Sequence, residues 1–252
     1  MMSHQPRKRF GQNFLVDNQI INRIIATISP KKSDNIVEIG PGMGALTFPL
    51  LEHLDHLSVI EIDRDLISFL KLNKQDKLTI YEADALKFDY GQISNNLRIV
   101  GNLPYNISSP LLFHLLSSRN QITDMTFMLQ KEVADRIIAN HGSKTYGRLS
   151  VMMQTFFEVE SMFTVHKESF NPKPKIESSI IYLKTRAKPL TENTKLLEKI
   201  VKVSFSQRRK TLKNCLKSIL SQEQTEIDLS QRAEMLSIEN FITLMKDYEK
   251  QN

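Results

Sequence analysis

The five-residue run from Asn102 to Asn106, Asn-Leu-Pro-Tyr-Asn, contains the clearest chemistry in this chain. It follows an apolar, strand-like stretch from Leu97 to Val100. The Asn102 side-chain carbonyl and the Leu103 backbone carbonyl, beside the rigid Pro104, can accept two hydrogens from an NH2 group, while the Tyr105 ring covers the face of a base. The run therefore predicts the site of an amino-group methyltransferase, and a plain turn after a strand is the alternative.

A glycine turn is the second candidate for chemistry. A short apolar strand, Ile36 to Ile39, leads into Gly40-Pro41-Gly42-Met43-Gly44, and a helical stretch follows it. Glycines let the backbone come close to a ligand, and the next helix presents free N–H groups at its positive end. This turn predicts nucleotide binding, but by itself it does not separate NAD, FAD and S-adenosylmethionine. The chain has no Gly-Lys-Ser/Thr run, which argues against nucleotide hydrolysis.

Three carboxylates favour one of these ligands. Glu61 ends the second predicted strand, where a ribose diol should lie, and Asp84 ends the third, where it can accept from an adenine amino group. Glu38, just before the glycines, can bind the ammonium of a methionine-like tail. Together they point to S-adenosylmethionine, and helix capping is the alternative reading for Glu61 and Asp84.

Alternating strands and helices surround these residues. Helices are predicted at 18–28, 46–54, 65–72, 110–116 and 131–140, and strands at 36–39, 57–60, 78–81, 98–100, 125–129, 156–159 and 178–183. This order predicts an α/β fold with a doubly wound, Rossmann-like sheet, to which the last two strands add a hairpin at the edge. Ligands of such sheets lie beyond the carboxyl ends of the strands, so Gly40, Glu61, Asp84 and Asn102 should line one crevice.

The domain organisation follows from a change in composition after Arg186-Ala187-Lys188-Pro189, where strand signals stop. We predict a methyltransferase domain with an N-terminal arm, 1–186, and a small all-α domain, 187–252.

Composition limits the class of protein. Hydrophobic residues make up 40% and charged residues 25% of the 252 residues, which is typical of a globular chain. No apolar stretch approaches the roughly 20 residues of a membrane helix, and no signal peptide is evident, so we expect a cytoplasmic protein. The single cysteine, Cys215, and six histidines without ligand spacing predict no disulfide and no metal site.

The net charge of +6 suggests a polyanionic partner. The candidate RNA-binding cations are Arg7, Lys8 and Arg9 near the start and Arg208, Arg209, Lys210, Lys213 and Lys217 near the end. On a helix, Arg209, Lys213 and Lys217 would share one face and could follow a phosphate backbone. An ordinary solvated face is the alternative.

Motifs along nearly the whole chain resemble those of a known family. They are RKRFGQNFLVD at 7–17, EIGPGMGALT at 38–47, IEID at 60–63, EADAL at 82–86, GNLPYNISSP at 101–110, FMLQKEVADR at 127–136, YGRLSV at 146–151, FNPKPKIESS at 170–179 and FSQRRKTLKN at 205–214. Together they resemble the small-subunit ribosomal RNA adenine dimethyltransferases of the KsgA type. The macrolide-resistance methyltransferases of large-subunit RNA are similar, and they are the runner-up.

The resemblance implies S-adenosylmethionine as donor and two adjacent adenosines as acceptors, each dimethylated at N6, in a hairpin loop near the 3′ end of 16S rRNA. It assigns Asn13, Leu15, Gly40, Glu61, Asp84 and Asn102 to donor binding, with Gln12 and Asn13 closing over the donor. Glu38, Gly42, Ile62 and Ala85 complete the predicted donor set. In the predicted acceptor site, Leu103 and Pro104 accompany Asn102, and a base stacks between Tyr105 and Phe170.

Other functions stay open at this point. The chain could be a large-subunit resistance methyltransferase or a non-catalytic assembly factor that keeps the site as a relic. A DNA adenine methyltransferase is less compatible, because few residues remain for duplex recognition. We expect a monomer whose partner is the small ribosomal subunit.

Overall fold

A computed structural model describes residues 13–73 and 76–251 of the chain. Its strands are β1 (Phe14–Leu15), β2 (Asn35–Ile39), β3 (Leu57–Glu61), β4 (Leu78–Glu82), β5 (Leu97–Asn102), β6 (Ile122–Gln130), β7 (Phe157–Val165), β8 (Phe170–Asn171) and β9 (Ser178–Thr185). Its α-helices are α1 (Asn18–Ile28), α2 (Thr47–His53), α3 (Arg64–Leu72), α4 (Ser108–Ser117), α5 (Lys131–Ile138), α6 (Arg148–Phe156), α7 (Thr194–Ser204), α8 (Leu212–Leu216) and α9 (Ile238–Glu249).

The main sheet has the strand order β4-β3-β2-β5-β6-β9-β7. Strands β4, β3, β2, β5 and β6 are parallel, and β9 runs antiparallel to β6. Within this sheet, β2 comes first along the chain, and β3 and β4 follow it on one side. The chain then crosses back, and β5 and β6 lie on the other side of β2. Its order therefore reverses between β2 and β5, and the carboxyl end of a sheet at such a reversal is where α/β proteins bind ligands.

The first helix shows why the N-terminal segment has a defined position. The Asp17 carboxylate caps α1 by accepting from the N–H groups of Gln19 and Ile20, and it also accepts from the Ser169 hydroxyl at 2.9 Å. One face of α1 is apolar and buried, through Ile21, Ile24, Ile25 and Ile28. In the small second sheet, β1 pairs antiparallel with β8. Cap, apolar face and strand pairing together fix the chain just before α1.

Contacts divide the chain into two compact units. The first holds the described residues through Ala134 together with Glu160–Thr185, and the second holds Asp135–Val159 and the chain from Arg186 onward. In the second unit, α7 packs against α6, α8 and α9. The sequence-based division at 186/187 lies one residue from 185/186, where the chain crosses between the units for the third time. The difference concerns 135–159, because α6 shares the apolar interior of the later helices.

The α/β fold, the parallel sheet and the added edge strands predicted from sequence are confirmed. Three elements, β1, β8 and α6, were not predicted, and one residue was wrongly placed. Residues 148–156 form α6, and Phe156, predicted to open a strand, is the last residue of that helix. Seven of its nine residues are buried, so the segment lacks the one-sided pattern by which an amphipathic helix is recognised.

Candidate functional site

A cavity of about 350 Å³ lies in the first unit, at the carboxyl ends of the central strands. Most of the predicted donor and acceptor residues line it, namely Asn13, Leu15, Glu38, Gly40, Gly42, Glu61, Ile62, Asp84, Ala85, Asn102, Leu103, Pro104 and Tyr105. They come from five segments spread over some 90 positions of the sequence. The fold thus brings both predicted half-sites into one cavity.

The glycine turn after β2 lines this cavity. Its backbone has positive φ angles, which residues other than glycine rarely adopt. Gly40 and Gly42 have φ angles of +66° and +58°. A Cβ atom on Gly42 would also lie 3.2 Å from the Phe14 ring. The turn is anchored to the neighbouring strand, because the Gly40 N–H donates to the Ile60 carbonyl at 2.9 Å.

Two carboxylates are buried in the cavity wall. Glu38 is 2% exposed and accepts a 2.6 Å hydrogen bond from the Thr47 hydroxyl. Burial, reinforced by the charge of Glu61, raises the pKa of Glu38 to about 7 despite that hydrogen bond. Burial also raises the pKa of Glu61, whose Oε1 accepts from the N–H groups of Ile62 and Asp63 at 2.8 and 2.9 Å.

No Lys or Arg is present among the described residues that line the cavity. When they are ionised, Glu38 and Glu61 are therefore negative charges without a cation among the described lining residues to balance them. A buried charge is stable when an opposite charge accompanies it, so the cavity is suited to a ligand that carries positive charge. Both the sulfonium and the ammonium of S-adenosylmethionine meet that requirement.

The loop after β4 closes another side of the cavity. Oδ1 of Asp84 accepts from the Leu86 N–H at 2.9 Å, and the Asp84 carbonyl accepts from the Lys87 N–H. The Ala83 N–H donates to the Glu61 carbonyl, which joins this loop to the end of β3. These bonds hold Asp84 and Ala85 close to Glu61. A ligand whose ribose and base are adjacent could therefore contact Glu61 with its ribose and Asp84 with its base.

The acceptor turn is held by its neighbours on three sides. The Asn102 side-chain amide donates to the Asn13 carbonyl at 3.1 Å, which leaves its oxygen to accept from a ligand. The Leu103 N–H donates to the Met128 carbonyl on the adjacent strand. The Pro104 carbonyl accepts from the Ile107 N–H and the Ser108 hydroxyl, and α4 begins there. The turn is thereby fixed before any substrate arrives.

Tyr105 is oriented by a residue that the sequence analysis did not assign. Its hydroxyl lies 3.2 Å from Oγ of Ser178, a fully buried residue at the start of β9. We expect Ser178→Ala to lower kcat/KM for methyl transfer about 2-fold to 10-fold, the range of one hydrogen bond, because the Tyr105 ring loses its anchor. Steady-state kinetics with saturating donor measures this effect.

The matched control for that variant is Ser179→Ala, which removes a hydroxyl from the next buried residue of the same strand. Equal kcat/KM values for the Ser178→Ala and Ser179→Ala enzymes would contradict the anchoring role. Thermal unfolding of both variants separates loss of anchoring from loss of stability.

Phe170 lies elsewhere than the sequence prediction required. Its side chain is 4% exposed, it pairs with Leu15 across β1 and β8, and it belongs to the apolar core rather than to the cavity lining. This placement does not support stacking on a base, because the ring is covered by the core. Gln12 and the basic residues Arg7, Lys8 and Arg9 lie outside the described residues.

The basic residues of the second unit are exposed but do not form the predicted helical face. Helix α8 spans only 212–216, so Lys213 lies on it, whereas Arg209 and Lys210 belong to the preceding turn and Lys217 follows the helix. The turn is stabilised by the Arg208 guanidinium, which donates to the Lys144 carbonyl. Arg209, Lys213 and Lys217 would share a face only on one helix, and they do not lie on one, because the chain turns at 207–210, where the Lys210 N–H donates to the Gln207 carbonyl.

Several apolar residues of the cavity were missed from sequence. They are Phe14, Met43, Ala45, Leu46, Ile60, Leu66, Leu86 and Ile107. Apolar side chains at these positions look the same in a pattern whether they face a core or a ligand, so spacing gave no signal for them.

Within residues 13–73 and 76–251, no helix combines the length and the apolar character needed to cross a lipid bilayer. In the same residues, no group of three or more His, Cys, Asp or Glu side chains is arranged to hold a metal ion.

Residues 3–250 match the family described as ribosomal RNA adenine dimethylase. A protein of Nitrosomonas europaea named ribosomal RNA small subunit methyltransferase A is 49% identical, over 97% of each chain. The protein of that name from Saccharophagus degradans is 52% identical, over 97% of this chain and 95% of the relative.

Two solved structures are similar over almost their whole length. The dimethyladenosine transferase of Plasmodium falciparum has a TM-score of 0.81 and 29% identity, over 94% of this chain and 98% of that one. The 23S rRNA methyltransferase ErmE has a TM-score of 0.73 and 26% identity, over 94% and 100%.

Proposed function

The chain belongs to the ribosomal RNA adenine dimethylase family, and from this premise we propose its reaction in full. It transfers methyl groups from S-adenosylmethionine to N6 of two adjacent adenosines in a hairpin loop near the 3′ end of 16S rRNA, giving dimethyladenosines. The observation that supports this most directly is the single cavity whose wall contains both the carboxylates suited to the donor and the Asn-Leu-Pro-Tyr turn suited to the amine.

The residues of the cavity fit the donor. Bound S-adenosylmethionine supplies a methyl group on a positively charged, strongly electrophilic sulfur. Glu61 can accept from a ribose diol, Asp84 from the adenine amino group, and Glu38 can bind the ammonium. Gly40 and Gly42 allow close approach of the backbone, and burial of the carboxylates strengthens their attraction for a cation.

On the acceptor side, alignment is the main task of the protein. Oδ1 of Asn102 and the Leu103 carbonyl accept the two amine hydrogens, which favours the pyramidal nitrogen that attacks the methyl carbon. Tyr105 covers one face of the base. No strong general base is needed, because the leaving proton can pass to water. Unpaired loop bases reach the cavity without the few kcal/mol that removal from a duplex costs.

Methyl transfer to isolated small subunits tests this proposal. Subunits from cells that lack the modification should gain N6,N6-dimethyladenosine with enzyme and donor, as measured by mass spectrometry of nuclease digests. A family enzyme of known activity serves as the positive control. If the subunits gain no dimethyladenosine while the control modifies them, the proposal fails.

The similarity to ErmE supports a second candidate, transfer to an adenosine of 23S rRNA. The two functions share a donor site and differ in the RNA. Supplying protein-free 23S rRNA in the same assay distinguishes them, since we expect methylation of the small subunit and only background on 23S rRNA.

We propose that the exposed cations of the second unit bind RNA phosphates, together with Arg7, Lys8 and Arg9. The double variant Arg209→Ala/Lys210→Ala should weaken binding to small subunits and lower the slope of log affinity against log salt by about 1 to 2, because fewer counterions are released. Filter binding at several salt concentrations measures both quantities.

The control for this variant is Lys31→Ala/Lys32→Ala, which removes the same charge from exposed residues ahead of β2, at the opposite end of the strands from the cavity. An equal loss of slope in both double variants would indicate a general charge effect and would contradict a specific role for the 209–210 turn.

We also propose that the protein acts in the cytoplasm as a monomer and without a metal ion. Light scattering gives the mass in solution, and a mass of two chains would contradict the monomer. Activity that survives dialysis against EDTA is the expected result for a metal-free reaction.

A further inference from the structure

A cluster of aromatic side chains lies beneath the loop that follows β4. Phe88 makes edge contacts with Tyr81 and Tyr90, at centroid distances of 5.2 and 5.4 Å, and the His114 ring lies 5.7 Å from that of Tyr90. Outside this cluster, Ala83, Asp84, Ala85 and Leu86 line the donor cavity. The cluster therefore lies next in sequence to residues 83–86, which form one wall of the cavity.

One hydrogen bond joins the cluster to that wall. The Tyr90 hydroxyl donates to the Ala85 carbonyl at 3.0 Å, and Tyr90 is fully buried. Burial, and then the charge of Asp84, raises the pKa of Tyr90, so its hydroxyl keeps the proton that it donates. This hydrogen bond fixes the orientation of the Ala85 carbonyl, and with it the conformation of the backbone between Asp84 and Leu86.

His114 connects the same cluster to the acceptor side. It lies on α4, the helix that begins directly after the acceptor turn, and its Nε2 lies 2.8 Å from the Phe88 carbonyl. The ring of His114 also covers Tyr90. A continuous set of contacts thus runs from α4 through Phe88 and Tyr90 to the loop at Asp84.

We infer that Tyr90, supported by His114, is a positioning residue for donor recognition. It acts through the Ala85 carbonyl, holding the 84–86 loop in the conformation in which Asp84 accepts from the adenine amino group. The inference rests on the proposed donor site, and it assigns a role to two residues that do not themselves touch the donor. Its specific consequence is that Tyr90 contributes to the discrimination of adenine from a base without the amino group.

Calorimetric titration of the full-length protein with two unreactive probes tests this. The probes are S-adenosylhomocysteine and S-inosylhomocysteine, in which a carbonyl oxygen replaces the adenine amine. Tyr90→Phe should bind S-adenosylhomocysteine about 3-fold to 10-fold more weakly, the range for one hydrogen bond. The affinity ratio of the two probes should fall toward one, while kcat at saturating donor stays within about twofold.

The matched control is Tyr81→Phe, which removes the same atom from a ring of the same cluster that does not line the cavity. If Tyr90→Phe keeps the wild-type probe ratio, or if Tyr81→Phe lowers it equally, the inference is overturned. If the wild-type protein binds neither probe, the donor site itself fails, which is a distinct result.

If the Tyr90→Phe protein does not fold, the His114→Ala variant tests the same inference. His114 is only partly buried, so its truncation should leave the fold intact. We expect a loss of about 2-fold to 5-fold in S-adenosylhomocysteine affinity and a smaller probe ratio. Wild-type values for both quantities would overturn the inference.

Discussion

Asn102→Ala should lower the turnover number for methyl transfer about 100-fold or more while RNA binding stays nearly unchanged. The amide oxygen accepts a hydrogen of the reacting amine, and loss of one such oriented partner costs about 10² to 10³ in rate at comparable sites. The residue also holds the N-terminal segment through the Asn13 carbonyl, so donor affinity should fall modestly in addition. Single-turnover kinetics with saturating donor isolates the chemical step from this second effect.

Asn106→Ala is the control for that experiment. Asn106 lies in the same turn, lines the same cavity and is exposed, and no step of the proposed reaction uses it. Its variant should turn over within a few-fold of wild type. A non-catalytic assembly factor would instead show no turnover in the wild type either. If Asn102→Ala retained wild-type turnover, the amine would not be held as we propose.

Donor affinity should rise with pH up to about 7 and then level off. Below pH 7 the buried Glu38 carboxyl is mostly protonated and neutral, whereas above it the group is a carboxylate that attracts the cationic donor. If binding requires the carboxylate, affinity falls by up to about tenfold for each pH unit below 7. Titration with S-adenosylmethionine between pH 5.5 and 7.5 measures this, since over that range the sulfonium keeps its charge and the ammonium that Glu38 binds stays mostly protonated.

Glu38→Gln keeps the shape of the side chain and removes its titration. The variant should bind the donor with nearly constant affinity between pH 5.5 and 7, and more weakly than wild type at pH 7.5. An unchanged slope in the variant would show that another group, for instance Glu61, is responsible. Thr47 remains able to donate to the glutamine oxygen, so the turn beside it should be preserved.

The same group predicts how the stability of the ligand-free protein changes with pH. The folded-state pKa of Glu38 is about 7 against an ordinary value of 4.5, so the folded state binds the proton more tightly than the unfolded state does. This contribution to the free energy of unfolding is fully present below pH 4.5 and is lost as pH rises to about 7, by up to about 3 kcal/mol. Glu38→Gln should flatten that part of the curve, as measured by urea unfolding.

Local pattern alone determined most of the first unit. Apolar runs bounded by turn residues predicted the strands around 36–39, 57–60 and 78–81 within a residue or two. A short apolar run between turn residues is too short for a helix, so a buried strand is the favoured structure. The roles expected of Gly40, Glu61, Asp84 and Asn102 came from their place at strand ends, and in a parallel sheet all strand ends of one kind meet at the same edge. Sequence therefore predicted correctly that these four residues line one cavity.

What sequence could not determine depends on contacts between distant segments. Phe170 carries an aromatic ring in a motif-rich stretch, yet pairing of β8 with β1 places it in the core. The spacing of the basic residues around Arg209 is compatible with a helix. In the structure this segment is a turn, and the Arg208 guanidinium there donates to the carbonyl of the distant Lys144. Side chains separated by many residues compete for the same partners, and that competition is not visible in local spacing.

The amino-acid order by itself set the α/β class, the glycine turn and the kind of chemistry that Asn102 can perform, since each depends on residue type and near neighbours. The tertiary structure alone decided that Glu38 and Glu61 are buried in one cavity with no Lys or Arg among its described lining residues. It also decided that Ser178 lies against the Tyr105 hydroxyl and that Tyr90 donates to the Ala85 carbonyl. Burial and long-range hydrogen bonds are properties of the folded chain, and they convert a set of suitable residues into a site.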